Sequence, residues 1–238
     1  MSLSDPEVVR QEYASEAGLE ARRSLYDNRE GPDPREAMWD AIVQSTPRRV
    51  LEVGAGPGEV SERITTELGA DVIAVDISER MVELAQEKGV DARVGDVQDL
   101  PFPDATFDLV VAAWMLFHVP DLDRALAETA RVLWLGGRLV AVTNSEHHLG
   151  EAREHAGVSM ASRVSFSREN GEDALRRHFA HVSRHDIDGS VVFADAEAIR
   201  TYLRSTVTMQ SAAESVPELD GPLRAGTRNT VFVAEKAP

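Results

Sequence analysis

Three short stretches carry residue types suited to holding a nucleoside. Leu51-Glu52-Val53-Gly54-Ala55-Gly56-Pro57-Gly58 is an apolar run ending in a glycine-rich turn. Glycines there let the chain turn tightly and let its backbone approach a ligand beside a helix N-terminus, although strand-to-helix turns also use glycine for structure alone. The spacing separates two chemistries. Glycines at 54, 56 and 58 give G-x-G-x-G, whereas the dinucleotide fingerprint G-x-G-x-x-G wants its third glycine at 59, where Glu59 stands. A glutamate on that turn opposes a pyrophosphate, so NAD is disfavoured.

The second stretch is Asp76, directly after Val72-Ile73-Ala74-Val75. An acid at the end of a second strand can accept both ribose hydroxyls of an adenosine, whichever cofactor carries it. Its alternative is to cap the following helix, a role that Ser78 can take instead. The third is Asp96 in Val94-Gly95-Asp96-Val97. An acid after a third strand can accept from the exocyclic amine of adenine, with the Val97 amide as donor to the ring; alone, Asp96 is equally a turn residue. Together the three stretches place ligand-binding types at consecutive strand ends.

The elements that must position them alternate. The N-terminal part, to about residue 46, is charged and helix-prone; Asp33 caps a helix that has Pro34 at its first position and runs through Met38, Trp39 and Ile42. Two short helices joined by a loop describe this segment. From Arg48 short apolar runs alternate with helical patterns: a strand at Val50–Val53, a helix through Val60, Ile64 and Leu68, a strand at Val72–Val75, and a helix from Ser78 stopped by Gly89. Strands at Ala92–Val94 and Phe107–Ala112 follow, then a helix opened by Asp121 and a strand at Arg138–Val142. Such alternation implies right-handed crossovers and a mostly parallel sheet. Beyond it the pattern gives a helix near Glu172–Phe179, a strand near His181–Ile187, a helix near Ala196–Ser205 and a last strand at Asn229–Glu235. The polar stretch Asn144–Gly171 reads as a covering segment rather than core.

In order along the chain, Leu51–Gly58, Asp76-Ile77-Ser78, Gly95-Asp96-Val97-Gln98-Asp99-Leu100-Pro101-Phe102, Phe107-Asp108-Leu109-Val110-Val111 and Arg131-Val132-Leu133-Trp134-Leu135-Gly136-Gly137 resemble the class I S-adenosylmethionine-dependent methyltransferases, and within them the type 11 small-molecule group. The resemblance covers about residues 48–143. It implies a Rossmann-like α/β fold: a seven-stranded, mostly parallel sheet with helices on both faces and an antiparallel last strand, which places Thr230–Ala234 between its neighbours at one edge. It further implies one methyltransferase domain over 1–238, with a helical cap at 1–46, a cofactor-binding core at 48–143 and a substrate-side segment with the final strands at 144–238.

Carried onto this chain, the resemblance makes Glu52 a cofactor-binding residue and puts Gly54, Ala55 and Gly56 at the methionine part of S-adenosylmethionine, Asp76 on the ribose, Ile77 and Met81 against the adenosine, and Asp96 and Val97 on the adenine. Ala113 and Trp114 flank the methionine moiety and the transferred methyl. Many relatives have a polar residue where this chain has Ala113, which leaves its backbone carbonyl to serve.

Methyl transfer from a sulfonium is an in-line displacement, in which positioning and exclusion of water do most of the work. A general base is needed only if the nucleophile's proton is hard to lose. His118 and His148 are the candidate bases, each with a structural alternative; His147 also follows the fifth strand. Tyr13 and Tyr26 lie in the N-terminal segment as packing residues or bases, and Arg22 or Arg23 can pair with the cofactor carboxylate or face solvent. His178, His181 and His185 receive no role. No carboxylate cluster suggests a metal, and no metal site is expected. Ala113-Trp114-Met115-Leu116 lacks the Asn/Asp-Pro-Pro-aromatic motif of amino-methylating enzymes of DNA and glutamine.

Composition narrows the partners. Among 238 residues, 25 Lys and Arg against 41 Asp and Glu leave a formal charge of −16, and a surface this acidic repels phosphate backbones. With zero cysteines, disulfides, cysteine nucleophiles and Cys-held metals are excluded. No apolar run approaches a membrane span and the N-terminus lacks an apolar signal core. The expectation is a soluble cytoplasmic enzyme that methylates a small molecule on O, N or C, binding neither nucleic acid nor membrane; the sequence does not fix an oligomeric state. The alternatives are an NAD-dependent oxidoreductase on a related sheet and a non-catalytic S-adenosylmethionine-binding protein.

Overall fold

In the computed structural model, which describes residues 4, 6–12, 17–27, 29–158 and 164–237, the alternation read from the sequence forms a seven-stranded sheet. Three helices come first: α1 (Pro6–Glu12), α2 (Ala17–Ser24) and α3 (Pro34–Gln44). Then follow β1 (Arg49–Val53), α4 (Glu59–Arg63, continued by a π-turn over Ile64–Leu68), β2 (Asp71–Asp76), α5 (Glu79–Glu87), β3 (Asp91–Val94) and β4 (Phe107–Ala113). A 3-10 turn at Leu116–His118 leads to α6 (Leu122–Val132) and β5 (Leu133–Asn144). The chain closes with α7 (Gly150–His155), α8 (Gly171–Leu175), β6 (His181–Phe193), α9 (Ala196–Arg204), α10 (Gln210–Ala213) and β7 (Leu223–Glu235).

The sheet order is β3-β2-β1-β4-β5-β7-β6. The first five strands are mutually parallel, and β7 runs antiparallel to both β5 and β6. Thr230–Ala234 of β7 therefore lies between two neighbours, as the family resemblance implies. Because β1 is flanked on both sides and covered on both faces, Val50, Leu51 and Val53 have no exposed surface, which is why this strand reads as an apolar run rather than an alternation. One core packs Leu51, Val110, Leu126, Phe107 and Phe232 beneath α6 and α8. Another packs Met38, Trp39 and Ile42 of α3 onto Val111, Val140 and Val231 on the opposite sheet face. The capping residues act as their types require: Asp33 accepts from the Arg35 amide, Ser78 from the Met81 amide and Asp121 from the Arg124 amide.

Several boundaries differ from the sequence reading. The N-terminal part holds three helices rather than two. β5 starts at Leu133, not Arg138, because the chain leaves α6 already extended and pairs Leu133 with Phe107; the bend at Gly136 (φ +76°) then shifts the register before Arg138 meets Leu109. β6 runs to Phe193 and β7 begins at Leu223, so their ladder continues past the last residue that pairs with β5. This projecting arm packs Val191, Phe193 and Ala225 against Leu149, Ile199 and Leu203 of the surrounding helices. The stretch Asn144–Gly171 is not a mere cover: Leu149, Ala152 and Phe166 are fully buried. Among the described residues, no helix is long and apolar enough to cross a membrane.

Candidate functional site at the strand tips

The parallel register pairs Val53 with Val75, so the glycine turn after β1 and the acid at the end of β2 emerge side by side. Gly54 donates its amide to the Val75 carbonyl at 2.7 Å. It adopts φ +63°, and a Cβ at this position would lie 2.6 Å from Met115 Cβ. Gly58 is just as constrained: φ is +77°, and a Cβ would meet Ala85 Cβ at 2.7 Å, so its absence lets α5 pack against the loop. Gly56 differs. Its φ is +54° but no atom lies within 4 Å of the position a Cβ would take, so the crest of the turn faces open space.

Asp76 binds that crest. Its Oδ2 accepts the Gly56 amide at 2.8 Å and its Oδ1 accepts the Ser78 amide at 2.9 Å. Each oxygen keeps a lone pair for a hydroxyl. Burial raises the Asp76 pKa, and the amides of Ser78, Gly56 and Ile77 act against the rise. One strand further on, Asp96 is fixed by Gln98, whose backbone amide reaches Oδ1 at 2.8 Å and whose side-chain amide reaches Oδ2 at 2.9 Å. Gln98 Oε1 in turn accepts the Asp121 amide at 3.0 Å. The sequence reading does not single out Gln98, although an amide two residues beyond an acid is the signal that points to it.

Gly54, Ala55, Gly56, Asp76, Ile77, Asp96, Ala113 and Trp114 all keep some exposed surface around these tips. Met81 and Glu52 do not present themselves as the resemblance implies. Met81 has no exposed surface, since its position in α5 turns it into the core, where only its amide works, on the Ser78 cap. Val97 differs: its side chain packs at 6% exposure, and the part expected to meet the adenine is its backbone amide. Glu52 is buried beneath the turn, where Oε2 accepts the Ser61 hydroxyl at 2.5 Å. Burial lifts its pKa to about 7, with the Ser61 bonds opposing and Asp76 adding to the rise. The folded chain thus holds a proton between about pH 4.5 and 7 that the unfolded chain has lost, so the contribution of Glu52 to stability falls as pH rises across that window, by about 3 kcal/mol. Glu52→Gln is expected to remove this contribution and leave that of His148, whose lowered pKa acts in the opposite sense below about pH 6.5. Melting temperatures of parent and variant at pH 5 and pH 8 check it; an unchanged pH dependence contradicts it.

At the β4 tip Trp114 adopts φ +53°, a left-handed conformation that costs a bulky residue on the order of 1–3 kcal/mol and persists where surroundings enforce it. Its amide donates to Val142 O at 2.9 Å and its indole Nε1 to Asn144 Oδ1 at 3.2 Å. Asn144 Oδ1 also accepts from Asn229 Nδ2 at 2.6 Å, and Asn229 Oδ1 accepts from Arg29 Nη1 at 3.4 Å. None of Asn144, Asn229 and Arg29 is legible as a site residue in the sequence, because they meet only through the β5–β7 register and the fold of the N-terminal segment.

His118 lies half-buried in the turn after β4. His148, the other candidate base, is buried with both ring nitrogens engaged: Nδ1 lies 3.0 Å from the Arg228 amide nitrogen and 3.2 Å from its carbonyl oxygen, and Nε2 faces the Tyr26 hydroxyl at 2.9 Å. In either tautomer the one ring lone pair is taken, by the Arg228 amide or by the Tyr26 hydroxyl. Burial pulls the His148 pKa down to about 3. No lone pair remains to take a proton from a substrate, which corrects the expectation for this residue. His147 is exposed. Arg22 bonds Glu12 at 2.8 Å and Arg23 bonds Glu59 at 2.5 Å; Tyr13 lies outside the described residues. Asp121 caps α6, and Asp123 pairs with Arg177 and His178. A shallow cavity of about 370 Å³ is lined by His147, Gly150, Glu151, Glu154 and Arg228, none of which belongs to the three tips. Among the described residues no cluster of three or more His, Asp or Glu could hold a metal.

Residues 51–141 match the family described as "Methyltransferase domain". A demethylmenaquinone methyltransferase of Thermobifida fusca is 43% identical over 113 residues, covering 44% of this chain and 48% of that protein. A 27-O-demethylrifamycin SV methyltransferase of Amycolatopsis mediterranei is 34% identical over 149 residues, covering 51% of this chain and 55% of its own. The chain thus spans about half the length of these curated relatives. Among solved structures, a phosphoethanolamine N-methyltransferase 2 of Haemonchus contortus, in complex with phosphomonomethylethanolamine and S-adenosylhomocysteine, superposes with a TM-score of 0.64 at 17% identity, covering 100% of this chain and 61% of that one; at this identity the likeness concerns the fold. The ordered glycine turn and Asp76 and Asp96 on consecutive parallel strands all lie in the segment, residues 51–141, that is similar to this methyltransferase domain family.

Proposed function

We propose that this protein transfers the methyl group of S-adenosylmethionine to a small-molecule acceptor. The observation that carries the reading is the junction of Asp76 with the crest of the glycine turn: a half-buried carboxylate, held by two amides and with lone pairs to spare, stands beside open space over Gly56. That arrangement fits an adenosine with its ribose on Asp76 and its adenine toward Asp96. When bound, S-adenosylmethionine supplies an electrophilic methyl on a sulfonium. Gly54, Ala55 and Gly56 hold the methionine end, Ile77 packs on the adenosine, and Ala113 with Trp114 borders the methyl at the β4 tip. A dinucleotide fits less well. Glu59 opens α4 with its carboxylate on Arg23 and Lys88, so the helix N-terminus that would take a pyrophosphate already bears an acid.

The acceptor approaches over the tips of β4, β5 and β7, between the N-terminal helices and the segment after Thr143. With both nitrogens of His148 in structural bonds, we assign it to positioning Tyr26 and β7, and leave His118 as the proton acceptor where the nucleophile needs one. His118→Asn is then expected to lower kcat about 10²-fold or more with S-adenosylhomocysteine binding unchanged, the range for general-base loss; steady-state kinetics beside calorimetry read it, and equal kcat assigns His118 to structure. The proposed function is tested by calorimetry with S-adenosylmethionine, S-adenosylhomocysteine and NADH. Binding of the first two without the third is expected. Binding of NADH alone, or of none, refutes the reading.

A further inference from the structure

Gln98 joins the loop after β3 to the start of α6, 23 positions further on. Its Oε1 accepts the Asp121 amide at 3.0 Å, where α6 is capped. Its Nε2 lies 3.0 Å from Asp96 Oδ1 and 2.9 Å from Oδ2, and its backbone amide reaches Oδ1 at 2.8 Å. These partners allow the side-chain amide one orientation: the Asp121 N–H requires the oxygen and the Asp96 carboxylate requires the nitrogen.

The backbone that carries Asp96 is fastened as well. The Asp99 amide closes a turn on the Asp96 carbonyl at 3.0 Å. Further along, Glu128 of α6 accepts the Leu100 amide at 2.8 Å, and Arg131 donates to the Leu100 and Phe102 carbonyls at 2.9 and 2.7 Å. The loop after β3 is thus tied down along α6, by Gln98 at the start of the helix and by Glu128 and Arg131 toward its end.

The acceptor sites of Asp96 show what this fastening does. A free carboxylate offers about four lone-pair sites, and the torsion that turns it is broad. Here Gln98 occupies both sites on Oδ1 and one on Oδ2, which leaves a single acceptor site, on Oδ2, at a fixed place. Asp96 is only half-buried, so a ligand can reach it. Adenine presents a donor on its exocyclic amine beside an acceptor on the neighbouring ring nitrogen. Hypoxanthine presents the reverse, a carbonyl oxygen beside a ring N–H. A carboxylate free to turn can follow the donor from one position to the other. One clamped by Gln98 cannot.

We infer that Gln98 is a positioning residue that sets the base specificity of the cofactor site: it holds Asp96 as one fixed acceptor for the exocyclic amine and so rejects the inosine counterpart. The inference rests on the methyltransferase reading. Glutamate at this position would keep an oxygen for the Asp121 amide and lose the donor to Asp96, which separates the two ends of the strut.

The test is calorimetry on the full chain, Gln98→Glu and Gln98→Met, with S-adenosylhomocysteine and with S-inosylhomocysteine, whose carbonyl oxygen replaces the exocyclic amine. The parent is expected to bind the adenosyl compound at least about tenfold more tightly, the loss appropriate to one hydrogen bond to a charged group. In each variant that ratio should fall at least about threefold, because a mobile Asp96 accepts from either base. Both ligands are compared on the same variant, so a general loosening of the site cancels from the ratio. Affinities that drop together with the ratio unchanged assign Gln98 to structure and overturn the inference. A parent that binds both compounds equally overturns it too. Should Gln98→Met fail to fold, Gln98→Glu, which retains the bond to α6, decides alone. No binding of S-adenosylhomocysteine to the parent defeats the methyltransferase reading, and the inference with it.

Discussion

Replacing Asp76 with alanine is expected to weaken S-adenosylhomocysteine binding by about 1.5–3 kcal/mol, or roughly 10- to 150-fold, the range for hydrogen bonds to a charged group. The carboxylate has two roles, which the experiment must separate. Toward the protein it accepts the Gly56 and Ser78 amides, so its loss also loosens the glycine turn and the start of α5. Toward the ligand it accepts the ribose hydroxyls. Asp76→Asn keeps one acceptor oxygen and should lose less than alanine. Urea unfolding reports the first role and calorimetry the second. A dissociation constant unchanged in the alanine variant removes Asp76 from the binding site.

The second large effect contrasts two glycines of one turn. Gly54→Ala is expected to destabilise the fold by about 2–5 kcal/mol, combining roughly 1–2 for a left-handed alanine with 1–3 for forcing a methyl into a packed site, here against Met115. Gly56→Ala meets no protein atom within 4 Å, so it should cost stability only the backbone part, about 1–2 kcal/mol. Its methyl nevertheless projects from the crest where the ligand backbone is expected, and binding of S-adenosylhomocysteine should fall at least about tenfold, as one lost close contact implies. Denaturant curves and calorimetry on both variants test the contrast. Wild-type affinity in Gly56→Ala would show that the crest does not face the ligand.

Local chemistry explains how much of this is legible in the sequence. Strands β1, β2 and β4 are apolar runs bounded by residues that each do one clear thing. Asp33, Ser78 and Asp121 cap the helices expected of them, and Gly69 and Gly89 take the left-handed turns that end theirs. The arm of β6 and β7 reads as shorter than it is because Gly189 and Gly226 interrupt strands whose outer residues are polar, and a glycine inside such a run reads as a break. Its pairing comes from the thirteen-residue strands continuing together, with Val191 and Phe193 buried by α9. Met81 is expected at the ligand because the family resemblance places it there; the helical turn instead points it inward. Asn144 and Asn229 are separated by 85 positions, and nothing local to either announces the other. His148 is visible in the sequence as a histidine but not as a buried one, since the Arg228 backbone that its Nδ1 meets arrives from β7.

The most direct measurement is a crystal structure with S-adenosylhomocysteine bound. The ribose hydroxyls are predicted on Asp76, the adenine edge toward Asp96, and the sulfur beside Ala113 and Trp114. Density for the nucleoside elsewhere on the molecule, or a ligand-free chain whose strand tips are closed by protein under saturating ligand, would contradict cofactor binding at those tips.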